Sequence, residues 1–115
     1  MKYDLGNACL PLKAPSTVQL LRPVRVFPSG RADIEISAQP IKPLDQVLPA
    51  GTRLHVRRVS QTAKVDVSHT NIDVLGRLDD GRTFFYVWGY GQALDRAPWE
   101  DAATPALRTM PCAHR

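Results

Sequence analysis

The chain has 115 residues, of which 43% are hydrophobic and 23% charged, with 15 Lys+Arg against 11 Asp+Glu and a formal net charge of +4. That length fits one domain able to bury its own core, and the composition excludes a collagen, a coiled coil and a highly charged disordered tail. No apolar run is long enough for a membrane-spanning helix. Residues 1–17 contain Pro11 and Pro15, show no sustained period and read as an extended arm. From Val18 the pattern becomes strand-like: Val18-Gln19-Leu20 alternates, Pro23 interrupts, and Val24-Arg25-Val26 alternates again. A proline there fits an edge or a bend, because it cannot donate to a sheet ladder. Pro28-Ser29-Gly30 is a turn, and Ala32-Asp33-Ile34-Glu35-Ile36-Ser37 alternates with Ala32, Ile34 and Ile36 inward. Residues 24–37 therefore read as a hairpin.

Pro40, Pro43 and Pro49 exclude a regular helix from residues 38–51, which read as a crossing loop. Thr52 to Val59 follows as a strand, with Leu54 and Val56 on one face and Arg53, His55 and Arg57 on the other. The Arg57-Arg58 doublet breaks the alternation and predicts a β-bulge. Ala63, Val65 and Val67 share a face in the next strand, and Ile72, Val74, Gly76 and Leu78 continue the pattern. Asp79-Asp80-Gly81 is a hairpin turn, and Thr83 to Tyr90 is the most β-prone segment of the chain. Gln92 to Ala97 reads as a short helical turn before Pro98, and the rest of residues 92–115 as a C-terminal arm packed on the β domain of residues 18–91.

The expected fold is a single small all-β domain, an antiparallel barrel or sandwich with irregular arms at both ends. Within that class, Leu48-Pro49-Ala50-Gly51-Thr52-Arg53-Leu54-His55-Val56 looks like the opening strand of bacterial SH3-like domains. Val74-Leu75-Gly76-Arg77-Leu78-Asp79-Asp80-Gly81-Arg82-Thr83 resembles their distal hairpin. The resemblance runs over residues 48–90 and rests on strand pattern and turn chemistry. It implies a partly open barrel that binds peptides, cell-wall material or partner proteins. Where such domains carry a tryptophan after the turn, this chain has Phe84 or Phe85.

Catalytic and metal-binding patterns are weak. Ser68 and His69, with Asp66 or Asp73, are the only serine–histidine–acid set close in sequence, and neighbours on a strand point to opposite faces. His55, His69 and His114 are far apart, and Gly89-Tyr90-Gly91 follows no βαβ unit, so neither a metal nor a cofactor is expected. The expectation is a protein that is not an enzyme.

Phe84, Tyr86, Trp88 and Tyr90 share one strand face by alternation, and Phe85, Val87 and Gly89 the other. Both faces cannot be equally covered in so small a domain, so one is expected as a contact surface with Trp99 as a lid. Together with Arg53, His55, Arg57 and Arg58, the residues Tyr86, Trp88, Tyr90 and Trp99 form the candidate binding set, because Tyr, Trp and Arg dominate protein interfaces. Cys9 and Cys112 flank the domain and are expected to form a disulfide that ties the arms together. No apolar stretch follows Met1-Lys2-Tyr3-Asp4, but the disulfide favours a periplasmic or secreted protein; free thiols would favour the cytoplasm.

Two functions follow as expectations. The first is a non-enzymatic protein-binding module of the bacterial envelope, of the inhibitor or immunity type. The second is a small basic barrel for single-stranded nucleic acid, as a sequence pI near 9.4 invites. There Arg53, Arg57, Arg58 and Lys64 would meet phosphates while Phe84, Tyr86 or Trp88 stacks on bases. The basic cluster is short and interleaved with acids, which disfavours this second reading.

Overall fold

A strand becomes stable only when a neighbour satisfies its backbone groups, and this chain recruits neighbours from distant parts of the sequence. The computed structural model describes residues 2–4, 10–63, 70–91 and 93–109. In chain order the strands are β1 (Lys2–Asp4), β2 (Ser16–Gln19), β3 (Val24–Pro28), β4 (Ile34–Ser37), β5 (Gln46–Leu48), β6 (Arg53–Ala63), β7 (Thr70–Leu78), β8 (Thr83–Tyr90), β9 (Ala93–Asp95) and β10 (Leu107–Thr109). They form one curled mixed sheet, a half-barrel, in the order β1-β6-β7-β8-β4-β3-β5. β2 joins β6 beside β1, and β9 and β10 extend from β8. Among the described residues no helix is long and apolar enough to cross a membrane.

The all-β class is as the sequence predicts, with one departure from a purely antiparallel sheet. β4 lies parallel to β8, pairing Ile34, Glu35 and Ile36 with Phe84, Phe85 and Tyr86. A side-chain clasp fixes the start of that ladder. The Thr83 amide and hydroxyl both donate to Asp33 Oδ2, at 2.9 and 3.1 Å, and the Asp33 amide donates back to Thr83 Oγ1 at 2.9 Å. These bonds hold the Asp33 carboxyl below the usual carboxylate range, the Thr83 amide contributing most.

The 24–37 hairpin is present as β3 and β4. The predicted bulge is also present: the β6–β7 register shifts between Val56 and Arg58, leaving Arg57 as the extra residue. At the β7–β8 turn Gly81 takes φ +93°, and the Leu78 amide bonds the Arg82 carbonyl at 2.8 Å. A side chain at that angle would be strained, so glycine suits the turn.

Several segments differ from expectation. The strand read over Thr52 to Val59 runs on to Ala63 within β6, while Val65 and Val67 of the expected next strand lie outside the described residues. The C-terminal arm supplies β10, which pairs with β9. The crossing loop contains β5, whose residues pair with β3 despite flanking prolines. The N-terminal arm supplies β1 and begins β2 two residues before Val18, covering the outer edge of β6. Most clearly, the expected helical turn at 92–97 is instead strand β9, which pairs Leu94 with Gly89 and Ala93 with Tyr90. The physical reason is an open edge. β8 offers β4 only the span 84–86, and the chain leaving Tyr90 folds back onto the remainder.

The core fills the concave side with Leu20, Val24, Val26, Ile34, Ile36, Leu54, Val56, Val59, Ile72, Val74, Phe84, Tyr86, Trp88 and Leu94. The segment after β9 closes the open mouth. Arg22 reaches across to donate to the carbonyls of Ala97 (2.9 Å) and Glu100 (3.2 Å), and the Leu21 amide bonds the Pro98 carbonyl. Glu100 in turn accepts from the Ala97 amide at 2.7 Å and from Arg108 at 2.5 Å.

Candidate functional site

The bulge in β8 decides which aromatic residues reach solvent. Ile72 pairs with Gly89 but Asp73 pairs with Val87, so Trp88 is the unpaired residue. One extra residue reverses the alternation beyond it. Tyr90, grouped by sequence with Tyr86 and Trp88, therefore separates from them and is 59% exposed.

Tyr86 and Trp88 are 2% and 0% exposed, so they belong to the core and not to a contact surface. Burial pushes the Tyr86 hydroxyl well above the ordinary tyrosine range. The Trp88 indole N–H donates to the Asp95 carbonyl at 3.0 Å, which satisfies its one polar group on β9. Trp99 covers both rings edge-on, with centroids 5.5 Å from Tyr86 and 5.3 Å from Trp88. It packs over the core as a partly buried ring. With Phe84 also buried, none of the three rings required for base stacking faces solvent.

The other face of β8 is covered unevenly. Phe85 lies under the Arg31 guanidinium, 4.8 Å from the ring centroid, and is 3% exposed. Beyond it, Arg25, Phe27, Glu35, Ser37, Val87 and Tyr90 line a cleft of about 470 Å³ across β3, β4 and β8. Arg25 stands over Phe27 at 5.8 Å and faces Asp45 at 3.5 Å. Val47 on β5 pairs with Arg25 and is exposed, as are Ile41 and Leu44 in the segment before β5. Of the sequence set, Tyr90 lines this groove as an exposed side chain and the buried Tyr86 reaches its floor; Trp88 and Trp99 do not line it.

The basic residues occupy a separate place, the outer face of β6. Antiparallel pairing puts Thr17 on β2 opposite His55, and Arg77 on β7 opposite His55 from the other side. Thr17 Oγ1 lies 2.9 Å from His55 Nδ1, and His55 Nε2 lies 2.6 Å from Asp79 Oδ1. Arg53 holds the second carboxylate oxygen through Nε at 3.0 Å and a terminal nitrogen at 2.9 Å. An ionised carboxylate only accepts, so Asp79 fixes the proton on Nε2 and directs Nδ1 to Thr17. The His55 bond, then the Arg53 bond, lower the Asp79 carboxyl below its ordinary value.

Thr17 and Asp79 lie far from His55 in sequence, and no local motif announces their meeting. Arg57 and Arg77 line a cleft of about 440 Å³ beside this row, together with Pro15, Ser16, Thr17, His55 and Val56. Arg58 is exposed next to the bulge but does not line that cleft. Among the described residues no three His, Cys, Asp or Glu side chains are placed to hold a metal ion. Cys9 and Cys112, and likewise Lys64, Asp66, Ser68, His69 and His114, lie outside the described residues.

The chain is thus a small all-β half-barrel with an aromatic groove on one part of its sheet and a histidine–arginine row on another. No family model, curated protein or solved structure matches the chain.

Proposed function

We propose that the chain is a non-enzymatic protein-binding module whose contact surface is the groove over β3, β4 and β8. One observation carries this reading: Phe27, Val87 and Tyr90 line an open cleft of about 470 Å³ beside Arg25 and Glu35. Aromatic and arginine side chains around a recess are the usual anchors of a protein interface. The occupant is an extended segment of a partner protein, whose alternating side chains fit a pleated surface. Blocking such a partner requires a rigid surface and no chemistry of its own, which suits an inhibitor or immunity-type protein. A place in the bacterial envelope belongs to the same proposal and depends on pairing of Cys9 with Cys112.

The test compares wild type with Phe27→Glu as baits against an envelope extract, after their melting temperatures are shown to agree. A discrete partner retained by wild type and lost by Phe27→Glu is the expected result. Equal recovery by both baits, or recovery by neither, would refute the groove as the contact surface. Mass spectrometry of the unreduced protein tests the compartment: a bridged Cys9–Cys112 pair is expected, and two alkylatable thiols would remove the envelope assignment.

A further inference from the structure

The histidine–arginine row plays no part in the groove just described. Its charge balance is uneven. Arg53 and Asp79 neutralise each other through two contacts, at 2.9 and 3.0 Å. Arg82 is likewise taken by Asp80, through Nε at 2.9 Å. Arg57 and Arg77 have no ion-pair partner among the described residues, although both line the cleft beside Thr17 and His55. The nearby Asp33 carboxylate, which feels Arg77, is already occupied by two bonds from Thr83.

The bulge that makes Arg57 the extra residue of β6 also sets its position on this face. Such bulges re-aim side chains beside functional sites. His55 is held between Thr17 and Asp79, so its ring forms a fixed floor for the recess. Two unmatched guanidinium groups on adjacent strands supply two positive charges and several N–H donors in planar forks. We propose that this cleft binds a dianionic phosphoryl group, a phosphomonoester, gripped by Arg57 and Arg77 against the Thr17–His55 edge. A carboxylate would satisfy only one fork. A phosphodiester polymer carries one charge per nucleotide and needs a longer basic stripe than this face provides.

The experiment is an NMR titration of the intact protein with inorganic phosphate, following the His55 ring and the arginine Nε–H signals at constant ionic strength. Acetate and a single-stranded oligothymidylate are titrated in parallel, and all three are repeated on the double variant Arg57→Gln/Arg77→Gln. Both arginines are exposed, so the variant should keep the wild-type melting temperature. The expected result is a saturable shift with phosphate, weakened at least about tenfold in the variant, as loss of charge-assisted bonds requires. A shift that grows linearly like that of added chloride would overturn the proposal. So would acetate binding as tightly as phosphate, or phosphate binding unchanged in the variant. Oligothymidylate binding without any response to inorganic phosphate would overturn it too, and would mark the face as a polyanion surface.

Discussion

The outer face of β6 and the outer face of β8 belong to one sheet, separated by β7, and they meet water in different ways. On β6 the outward positions are Arg53, His55 and Arg57; Arg53 and His55 are organised through Asp79 and Thr17, and Arg57 stays solvated at the cleft beside them. On β8 the outward Phe85 is sealed by Arg31, Val87 is half-buried, and Tyr90 stands free after the bulge at Trp88. The first face is polar and ordered by hydrogen bonds; the second is apolar and ordered by coverage. A polar strand face needs no cover, whereas an aromatic one exposes whatever its neighbours fail to reach. The groove at Phe27 and Tyr90 is what remains uncovered.

Replacing Trp88 with Ala should break the comparison most severely. Its ring is fully buried between the sheet and Trp99, so truncation should cost about 3–5 kcal/mol, read by urea unfolding. A loss below about 1 kcal/mol would place the ring outside the packed core. Gly76→Ala comes next. Glycine lets β7 pass beneath the Phe84 ring, and an added Cβ would sit 2.7 Å from Phe84 Cε2 and press on the His55 carbonyl, which is backbone and cannot swing aside. Overpacking of this kind costs about 1–3 kcal/mol, and because it acts on the β6–β7 ladder it should also disturb the His55 ring signal.

A smaller effect is expected from acid. Asp79 is held below its ordinary pKa by His55 and Arg53, and Asp33 by the Thr83 amide and hydroxyl. A depressed carboxylate adds stability that is complete above its unfolded value, here 3.8, and is lost as pH falls through the folded value. Thermal melts between pH 7 and pH 2 should therefore fall less steeply at the acid end for Asp79→Asn than for wild type. Identical acid limbs would show that the His55–Asp79–Arg53 contacts are not maintained in solution. Smallest of all is Tyr90→Ala, which should change stability by no more than about 0.5 kcal/mol although it lies on the same strand as Trp88. A larger loss would mean that Tyr90 is packed and the groove closed.

Local pattern carried the sequence reading as far as local pairing goes. The 24–37 hairpin, the Arg57 bulge and the Gly81 turn each depend on residues adjacent in sequence, and each was legible. The parallel ladder between β4 and β8 was not, since Ile36 and Tyr86 meet through long-range pairing that no alternation encodes. β9 is not legible because Ala93-Leu94-Asp95 is too short to display a period and its composition tolerates a helix. Simple alternation places Tyr90 on the Trp88 face, because no charged doublet announces the bulge that reverses it. For the candidate site the same limit applies. Arg53, His55 and Arg57 were visible as one face, but Thr17, Arg77 and Asp79 reach it only through strand register.

The claim that binding uses the aromatic groove is tested most directly by photo-cross-linking from single positions on the two outer faces. A photoreactive side chain replaces Tyr90 in one protein and Arg77 in another, each exposed before substitution. Each is irradiated in an envelope extract and analysed by mass. The account predicts one discrete protein adduct from position 90, abolished when Phe27→Glu is added, and no protein adduct from position 77. Adducts of equal yield from both positions, or an adduct from position 77 alone, would contradict it.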